Sequence, residues 1–450
     1  MSPGESIHHS SLGKGTIIAI CTKGGQSGAE VDFGYMTEWI SAVELGANDP
    51  EKESATSGLS ETDGEVPSTP RTLSRLPSDV VDARRGILAL KLGQVLEEHV
   101  LQLSTGIEDA RSDLADVVSS ALQRQARSVL IEGAWGTGKT HLLTVLTAIA
   151  ADEGMATSSV ILDGEGVTLS DPMSLMEAFL SSLRYPGESV PHGLGSRLAQ
   201  LRRSEARWEL QHRTDGRIAD AICDMPSSSF DEPEVVQVLE DYFTLTVSAT
   251  QANSKLASLG LRSVRLPPMS ARAVGDRPAR FCELLQGWTE FVALTGAKGL
   301  VLVIDEVDVD YARSVWAANL RIRRTSVLRA LGELLDSKLP LIVAFGSAPG
   351  GDVEDEHDPV RDLKEHVGSG VLTIEAPKPN LSQIRELAER VHKLYVRAYP
   401  ERMARLDRDN LLELSRLLEA FARKHMQSIS PVPRDFVRGT LERLDVGAGA

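Results

Sequence analysis

Cysteine and long apolar runs are both scarce in this chain. The 450 residues contain three cysteines, Cys21, Cys223 and Cys282, which lie far apart and show no metal-ligand spacing. This spacing indicates buried or incidental thiols in a reducing compartment, rather than a disulfide framework or a zinc site. No stretch approaches the roughly 18 apolar residues that a membrane span needs, and the N-terminus lacks a signal-peptide profile. We therefore predict a cytoplasmic protein that makes no use of a membrane.

Positive charge is also in deficit. Lys and Arg number 48 against 64 Asp and Glu, which gives a formal net charge of −16. This balance argues against broad, nonspecific coating of nucleic acid. Two stretches, 197–217 and 262–280, are rich in arginine although the chain as a whole is acidic, and they form a candidate surface for duplex DNA. The alternative interpretation is that both stretches are solvated helix faces.

The most informative motif is a glycine-rich segment between a predicted strand at 128–131 and a predicted helix that starts at His141. It matches the pattern G-x-x-x-x-G-K-[ST] with Gly133, Ala134, Trp135, Gly136, Thr137, Gly138, Lys139 and Thr140. In such loops backbone N–H groups surround the β- and γ-phosphates, while a lysine adds charge and a hydroxyl binds Mg²⁺. We therefore predict that these residues and His141 bind ATP, with Thr140 as a ligand of Mg²⁺. The alternative is a glycine-rich turn that binds no nucleotide.

A second apolar run ends in two carboxylates and supplies the other half of such a site. Residues 300–304 predict a buried strand, which Asp305 and Glu306 follow directly. Asp305 is the predicted second ligand of Mg²⁺, and Glu306 is the predicted base that orients and deprotonates the attacking water. Acids at a strand end can also be solvated termini. Asp308 and Asp310, which come next, either tune Mg²⁺ or face water, and we expect the second.

Two further sets of polar residues are candidates for sensing the γ-phosphate. Ser347 follows the predicted strand 341–345 and is either a sensor of hydrolysis or part of an ordinary turn. Four arginines lie downstream of the acidic strand, and either one of them is a finger toward a neighbouring subunit or all are surface residues: Arg321, Arg323, Arg324 and Arg329.

The order of predicted elements indicates an α/β fold. Strands at 128–131, 159–163, 300–304, 341–345 and 371–374 alternate with helices, which favours a parallel sheet covered on both faces. Helical, arginine-rich sequence interrupts this rhythm over about 187–280. We predict an ATPase core at 80–376 that contains this helical insertion, and an all-α lid domain at 377–450.

The N-terminal 46 residues predict a separate small β-barrel. Strand-like segments, glycine turns and Trp39 resemble the Tudor- or SH3-like barrels of CarD-type RNA-polymerase-interacting proteins and of UvrD-type helicase tails. Tyr35 and Trp39 either dock a partner at an aromatic rim or fill the small core. Residues 47–79 are rich in Ser, Thr, Glu, Pro and Gly, which is typical of a flexible linker.

The order of phosphate loop, acidic strand, polar-tipped strand and helical C-terminus resembles that of AAA+ ATPases, closest to the clade of origin-recognition and initiator proteins. Four segments further resemble the BREX-system ATP-binding family of BrxC/BrxD type, from bacterial anti-phage defence loci: 83–87, the loop with 141–143, 162–167 and 430–438. This resemblance implies that Arg434 lies in the lid and reaches the γ-phosphate. A solvated arginine at a helix start is the alternative.

We therefore predict a Mg²⁺-dependent ATP hydrolase of the AAA+ class that couples its cycle to DNA-associated assembly in a BREX-like defence system. Its predicted catalytic residues are Lys139, Glu306, Ser347 and Arg434, and we expect a homo-oligomer with partners in a defence complex. The alternative function is a nucleotide-gated switch with little turnover, which recruits RNA polymerase or another protein through the barrel. A scaffold with a purely structural nucleotide is a third, weaker interpretation.

Overall fold

A computed structural model divides the chain into two units, Met1–Ser74 and Arg75–Ala450. The described residues are 6–9, 13–23, 26–32, 37–41, 78–188, 197, 204–213, 218, 222, 225–271, 273–314, 318–349, 358–368, 370–377, 380–403, 416, 420 and 433–447.

The first unit contains a four-stranded antiparallel sheet in the order β1-β2-β3-β4. Its strands are β1 (Ser6–His9), β2 (Gly13–Lys23), β3 (Gln26–Asp32) and β4 (Thr37–Ser41). Trp39 lies in β4 opposite Glu30, whereas Tyr35 and linker residues 47–77 lie outside the described residues. The closure of these strands into a Tudor- or SH3-like barrel stays a prediction.

The second unit is built on a parallel sheet, as its continuous apolar runs predict. The strands are β5 (Arg127–Glu132), β6 (Ala156–Ile161), β7 (Leu300–Asp305), β8 (Leu341–Ser347) and β9 (Leu372–Glu375), in the order β6-β7-β8-β5-β9. All four pairings are parallel, so the carboxyl ends of all five strands meet at one edge. Because the order places β5 beside β8, and β8 beside β7, the segments that follow these three strands are neighbours along this edge. This arrangement confirms the predicted α/β class.

Helices cover both faces of the sheet. Along β7, Leu302 and Ile304 belong to one buried cluster, whereas Val301 and Val303 belong to another. This alternation is expected because successive side chains of a strand point to opposite faces. The helices are α1 (Ser78–Lys91), α2 (Glu97–Leu103), α3 (Glu108–Leu122), α4 (Lys139–Asp152), α5 (Pro172–Ser181), α6 (Ser204–Arg213), α7 (Pro233–Phe243), α8 (Ala249–Ser258), α9 (Arg277–Leu294), α10 (Val307–Ser314), α11 (Ala318–Leu335), α12 (Pro359–His366), α13 (Leu381–Ala398), α14 (Pro400–Met403) and α15 (Pro433–Gly447).

The described part of the segment between β6 and β7 contains helices α5 to α9 with non-helical stretches between them, and it shares the core of one sheet face. Phe243 of α7 meets Trp288 of α9 edge-on, with 5.7 Å between ring centroids. Tyr242 of α7 is fully buried in the same cluster, and its hydroxyl donates to the carbonyl of Pro267. An aromatic pair of this kind adds about 0.5–1.5 kcal/mol to the burial of its rings. These helices therefore extend the core of the sheet.

Three helices from the two ends of the second unit share a further buried cluster. Ile87 of α1, Leu394 of α13 and Leu441 of α15 all belong to it. A capping box at Asn380 begins α13, since its side chain accepts from Gln383 N and the Gln383 side chain accepts from Asn380 N. Among the described residues, no helix is both long and apolar enough to cross a membrane.

Candidate nucleotide-binding site

The glycine-rich loop lies at the carboxyl edge of the sheet, between the end of β5 and the start of α4. Gly138 has φ of +106°, a left-handed conformation that favours glycine, and Lys139 begins the helix directly after it. Helix α4, which is 14 residues long, follows the loop directly. Its free backbone N–H groups and the positive end of its dipole therefore face the loop. The local structure is therefore the one that binds phosphate groups in other proteins.

Polar groups within the loop satisfy one another. The Lys139 ammonium donates to the carbonyl oxygens of Gly133, at 2.9 Å, and Ala134, at 3.4 Å. The Thr137 hydroxyl also donates to Ala134 O, at 2.7 Å. The lysine charge thus lies inside the concave side of the loop.

The two halves of the predicted site meet through a side-chain hydrogen bond. Thr140 Oγ1 donates to Asp305 Oδ2 over 2.7 Å, which joins the first turn of α4 to the end of β7. Asp305 is almost fully buried. Strand β8 lies close to the Asp305 side chain, since a Cβ added at Gly346 would collide with Asp305 Oδ1. A hydroxyl beside a carboxylate is a donor set that Mg²⁺ accepts, because this ion usually takes only one or two protein ligands beside water and phosphate.

Glu306 has an unusual backbone conformation. Its φ of +59° is rare for a residue with a side chain, and its N–H donates to Asp305 Oδ1 at 2.8 Å. Such strain is often found at functional sites. Partial burial raises the pKa of the Glu306 carboxyl, and the negative charges of Asp305 and Asp308 raise it further. Lys139 and Arg434 act in the opposite direction.

The predicted lid residue Arg434 lies near this acid. It is exposed in the first turn of α15, and its charge contributes to the pKa of Glu306. Its stem lies beside Gly93, where an added Cβ would be 3.1 Å from Arg434 Cδ. The structure therefore brings Arg434 and Glu306 to the same region, while a contact with a γ-phosphate stays a prediction.

Ser347 ends β8 next to the start of the phosphate loop. Its carbonyl accepts from Gly133 N at 3.3 Å, and its register partner is Glu132. The side chain is fully buried, and its hydroxyl donates to Ala348 O at 3.1 Å. A sensor role would require this hydroxyl to turn toward the site, so that role also stays a prediction.

The His141 ring contacts Ser104, which lies outside the loop. His141 Nε2 lies 2.8 Å from Ser104 Oγ, and that hydroxyl donates to Val100 O at 2.7 Å. Because the hydroxyl hydrogen is already used, Nε2 carries the hydrogen of this contact. Burial lowers the pKa of His141 to about 4, which keeps the ring neutral. Arg390 of α13 also donates to Ser104 O, a contact that the sequence did not reveal.

The prediction that Asp310 faces water is wrong. Asp310 is buried, 3.8 Å from Nη1 of the equally buried Arg324, whose guanidinium lies 3.3 Å from the Tyr311 ring centroid. Arg324 is consequently neither a surface residue nor free to act as an arginine finger. Asp308 is half-buried and accepts hydrogen bonds from Ala348 N and Trp135 Nε1. In the sequence, only its position three residues after Asp305 indicated that Asp308 lies at the carboxyl edge of the sheet.

Comparison with known proteins identifies the family of the second unit. The family described as AAA ATPase domain matches residues 105–344, which is more than half of the chain. No curated protein matches. Among solved structures, the HORMA:CdnC:Trip13 complex of E. coli MS115-1 is similar over 77% of this chain and 91% of that chain, at 12% identity and a TM-score of 0.30. The family match, together with the parallel sheet and its glycine-rich loop, shows that this chain belongs to the AAA ATPase domain family.

Proposed function

We propose that this protein is a Mg²⁺-dependent ATPase whose site joins the glycine-rich loop to the acidic end of β7. The observation that carries the proposal is the 2.7 Å hydrogen bond between Thr140 Oγ1 and Asp305 Oδ2. It brings a phosphate-loop hydroxyl and a strand-end carboxylate within reach of one metal ion. Membership of the AAA ATPase domain family supports the same function.

Each residue has a role in this proposal. The loop N–H groups and the Lys139 ammonium bind the β- and γ-phosphates. Thr140 and Asp305 would hold Mg²⁺, which would neutralise charge on the phosphate oxygens. Phosphate oxygens would replace the carbonyl oxygens of Gly133 and Ala134 as acceptors of the Lys139 ammonium.

Glu306 is the proposed general base. It follows the metal ligand Asp305 directly, and its carboxylate accepts the proton that the attacking water loses. Its raised pKa makes it a stronger base than a solvated glutamate. Ser347 and Arg434 are the proposed sensors of the γ-phosphate, and Arg434 offers a guanidinium suited to bidentate contact with phosphate oxygens.

Lys139→Ala tests the binding half of the proposal. The variant loses the positive charge at the centre of the loop, so we expect ATP affinity in millimolar Mg²⁺ to fall by about 30- to 100-fold, in line with the loss of a charge-assisted hydrogen bond. Isothermal titration calorimetry measures this change. Lys338→Ala is the matched control, because Lys338 is exposed in the turn before β8.

Two results would contradict the binding half. The first is wild-type protein that is folded by circular dichroism but releases no heat with ATP and Mg²⁺. The second is equal ATP affinity in wild-type protein and Lys139→Ala. If Lys139→Ala instead unfolds, the nucleotide has a structural role.

We further propose that nucleotide turnover is coupled to duplex DNA, within a homo-oligomer in a BREX-like defence complex. The insertion supports this coupling through Arg262 and Arg265, which are both exposed. Three other arginines of this region already pair with carboxylates, namely Arg197 with Glu188, Arg277 with Asp171 and Arg280 with Glu283. Arg321, Arg323 and Arg329 stay candidates for a finger toward a neighbouring subunit.

The double variant Arg262→Ala/Arg265→Ala tests the DNA coupling. If each arginine contacts one phosphate, the slope of log K against log salt becomes less steep by about 1.8 units. Fluorescence anisotropy with a labelled duplex at several salt concentrations measures this slope. The control is Arg111→Ala, an exposed arginine of α3. Absence of DNA binding, together with tight ATP binding and negligible turnover, would favour the nucleotide-gated switch.

A further inference from the structure

Asp308 uses both oxygens of its carboxylate to hold two different loops. Oδ1 accepts from the backbone N–H of Ala348, at 2.8 Å, in the segment that follows β8. Oδ2 accepts from the indole N–H of Trp135, at 3.3 Å, inside the phosphate loop. Asp308 itself lies in the first turn of α10, two residues after Glu306. One side chain therefore joins the segments that follow β5, β7 and β8.

The ordinary function of an acid at a helix start does not account for this arrangement. Such an acid stabilises the helix dipole from solvent or caps the N–H groups of its own helix. Here both hydrogen bonds come from outside α10, and one donor is the backbone N–H directly after Ser347. Among the ion pairs of the described residues, Asp308 has no cationic partner, so its two acceptor bonds define its contacts.

Trp135 is equally unusual. Its side chain is 65% exposed although it is a large aromatic residue, and it occupies the third position of the phosphate loop. Burial of the ring therefore does not fix its position. The indole N–H bond to Asp308 is the polar contact that holds the ring at the start of α10.

We propose that Asp308 is a positioning residue of the ATPase site, which holds the phosphate loop through Trp135 and the segment after β8 through Ala348. The inference rests on the proposed ATPase function and assigns Asp308 and Trp135 a role in it. Displacements of about 1 Å at such a site reduce rates by about 100-fold. A carboxylate that joins the three loops keeps Lys139, Glu306 and Ser347 in one relative geometry.

A double-mutant cycle between Trp135→Phe and Asp308→Asn tests the proposal. Trp135→Phe removes the indole N–H and keeps an aromatic ring, whereas Asp308→Asn keeps the shape but replaces one acceptor by a donor. We expect each single variant to lower kcat about tenfold, with KM for ATP changed less than threefold. The double variant should be no slower than the slower single variant, because the two residues act through one contact. Trp208→Phe and Asp336→Asn are the matched controls, since both residues are exposed and lie outside the site.

A measurement without nucleotide accompanies the kinetics. The difference between the emission spectra of wild-type protein and Trp135→Phe isolates the fluorescence of Trp135. We expect this difference spectrum, and its quenching by acrylamide, to change in Asp308→Asn and to stay the same in Asp336→Asn. A residue that only stabilises the fold would lower the unfolding midpoint without this local signature.

The outcomes separate this inference from the proposed function. If wild-type protein hydrolyses ATP but the two variants reduce kcat multiplicatively, or by less than twofold each, the positioning role is overturned and the ATPase stands. An unchanged Trp135 spectrum in Asp308→Asn likewise overturns it. If wild-type protein neither binds nor hydrolyses ATP, the proposed function fails first and the inference fails with it.

Discussion

Glu306→Gln is expected to lower kcat for ATP hydrolysis by about 10²- to 10⁴-fold, because a glutamine amide cannot accept the proton of the attacking water. The affinity for ATP should change little, since the phosphate loop, Lys139 and the Thr140–Asp305 pair all stay in place. Single-turnover hydrolysis of radiolabelled ATP measures the rate, and calorimetry measures the affinity. The expected result is thus a protein that binds ATP and retains it.

Glu333→Gln is the matched control for this variant. Glu333 is an exposed residue of α11 outside the site, and its substitution removes the same negative charge. The backbone at Glu306 adds a further test. Its φ of +59° is as uncommon for glutamine as for glutamate. The unfolding temperature of Glu306→Gln should therefore be nearly equal to that of wild-type protein. A reduction of kcat below tenfold would mean that another group takes the proton.

Arg324→Met is expected to destabilise the protein by about 3–5 kcal/mol, because it leaves the buried carboxylate of Asp310 without its cation. The guanidinium of Arg324 lies between Asp310 and the face of the Tyr311 ring, so both an ion pair and a cation–π contact are lost. Urea unfolding followed by circular dichroism measures the loss. Arg323→Met is the control, since the neighbouring residue of the same helix is exposed.

This loss of stability should depend on pH in a defined direction. Burial raises the pKa of Asp310 even beside Arg324, and removal of the arginine raises it further. Because the unfolded chains titrate alike, the proton-linked part of the deficit comes from the difference between the two folded-state pKa values. The deficit should therefore be small below the folded pKa that Asp310 has beside Arg324, and grow as the pH rises from there toward its higher folded pKa in the variant. The double variant Arg324→Met/Asp310→Leu should recover part of the stability at neutral pH, and a deficit independent of pH would show that packing alone is responsible.

The sequence predicted the parallel sheet and the two halves of the site because both are local patterns. The strand 300–304 is a continuous apolar run, and the loop that begins at Gly133 is a contiguous motif, so neither depends on distant contacts. The order of the strands places the segments after β5, β7 and β8 at one edge, which explains why Thr140 and Asp305 meet. The proximity of Thr140 and Asp305 could therefore be inferred before the structure.

Contacts between distant segments could not be inferred in the same way. Asp310 and Arg324 are both charged, and charged residues are rarely buried unless they are paired, so composition alone favoured the surface. Their pairing depends on the angle between α10 and α11. The contact of Ser104 with His141 and Arg390 similarly depends on how α13 lies against α2. One-dimensional patterns carry no information about such angles.

The internal hydrogen bonds of Lys139 have a consequence for exchange of ligands. The ammonium already has carbonyl acceptors at 2.9 and 3.4 Å, and Thr140 already has Asp305. In the proposed ATPase, an arriving nucleotide would therefore replace existing hydrogen bonds instead of satisfying unpaired groups. Because the net free energy of such an exchange is modest, the loop would regain its internal hydrogen bonds when the nucleotide leaves. Release would then require no refolding of the loop.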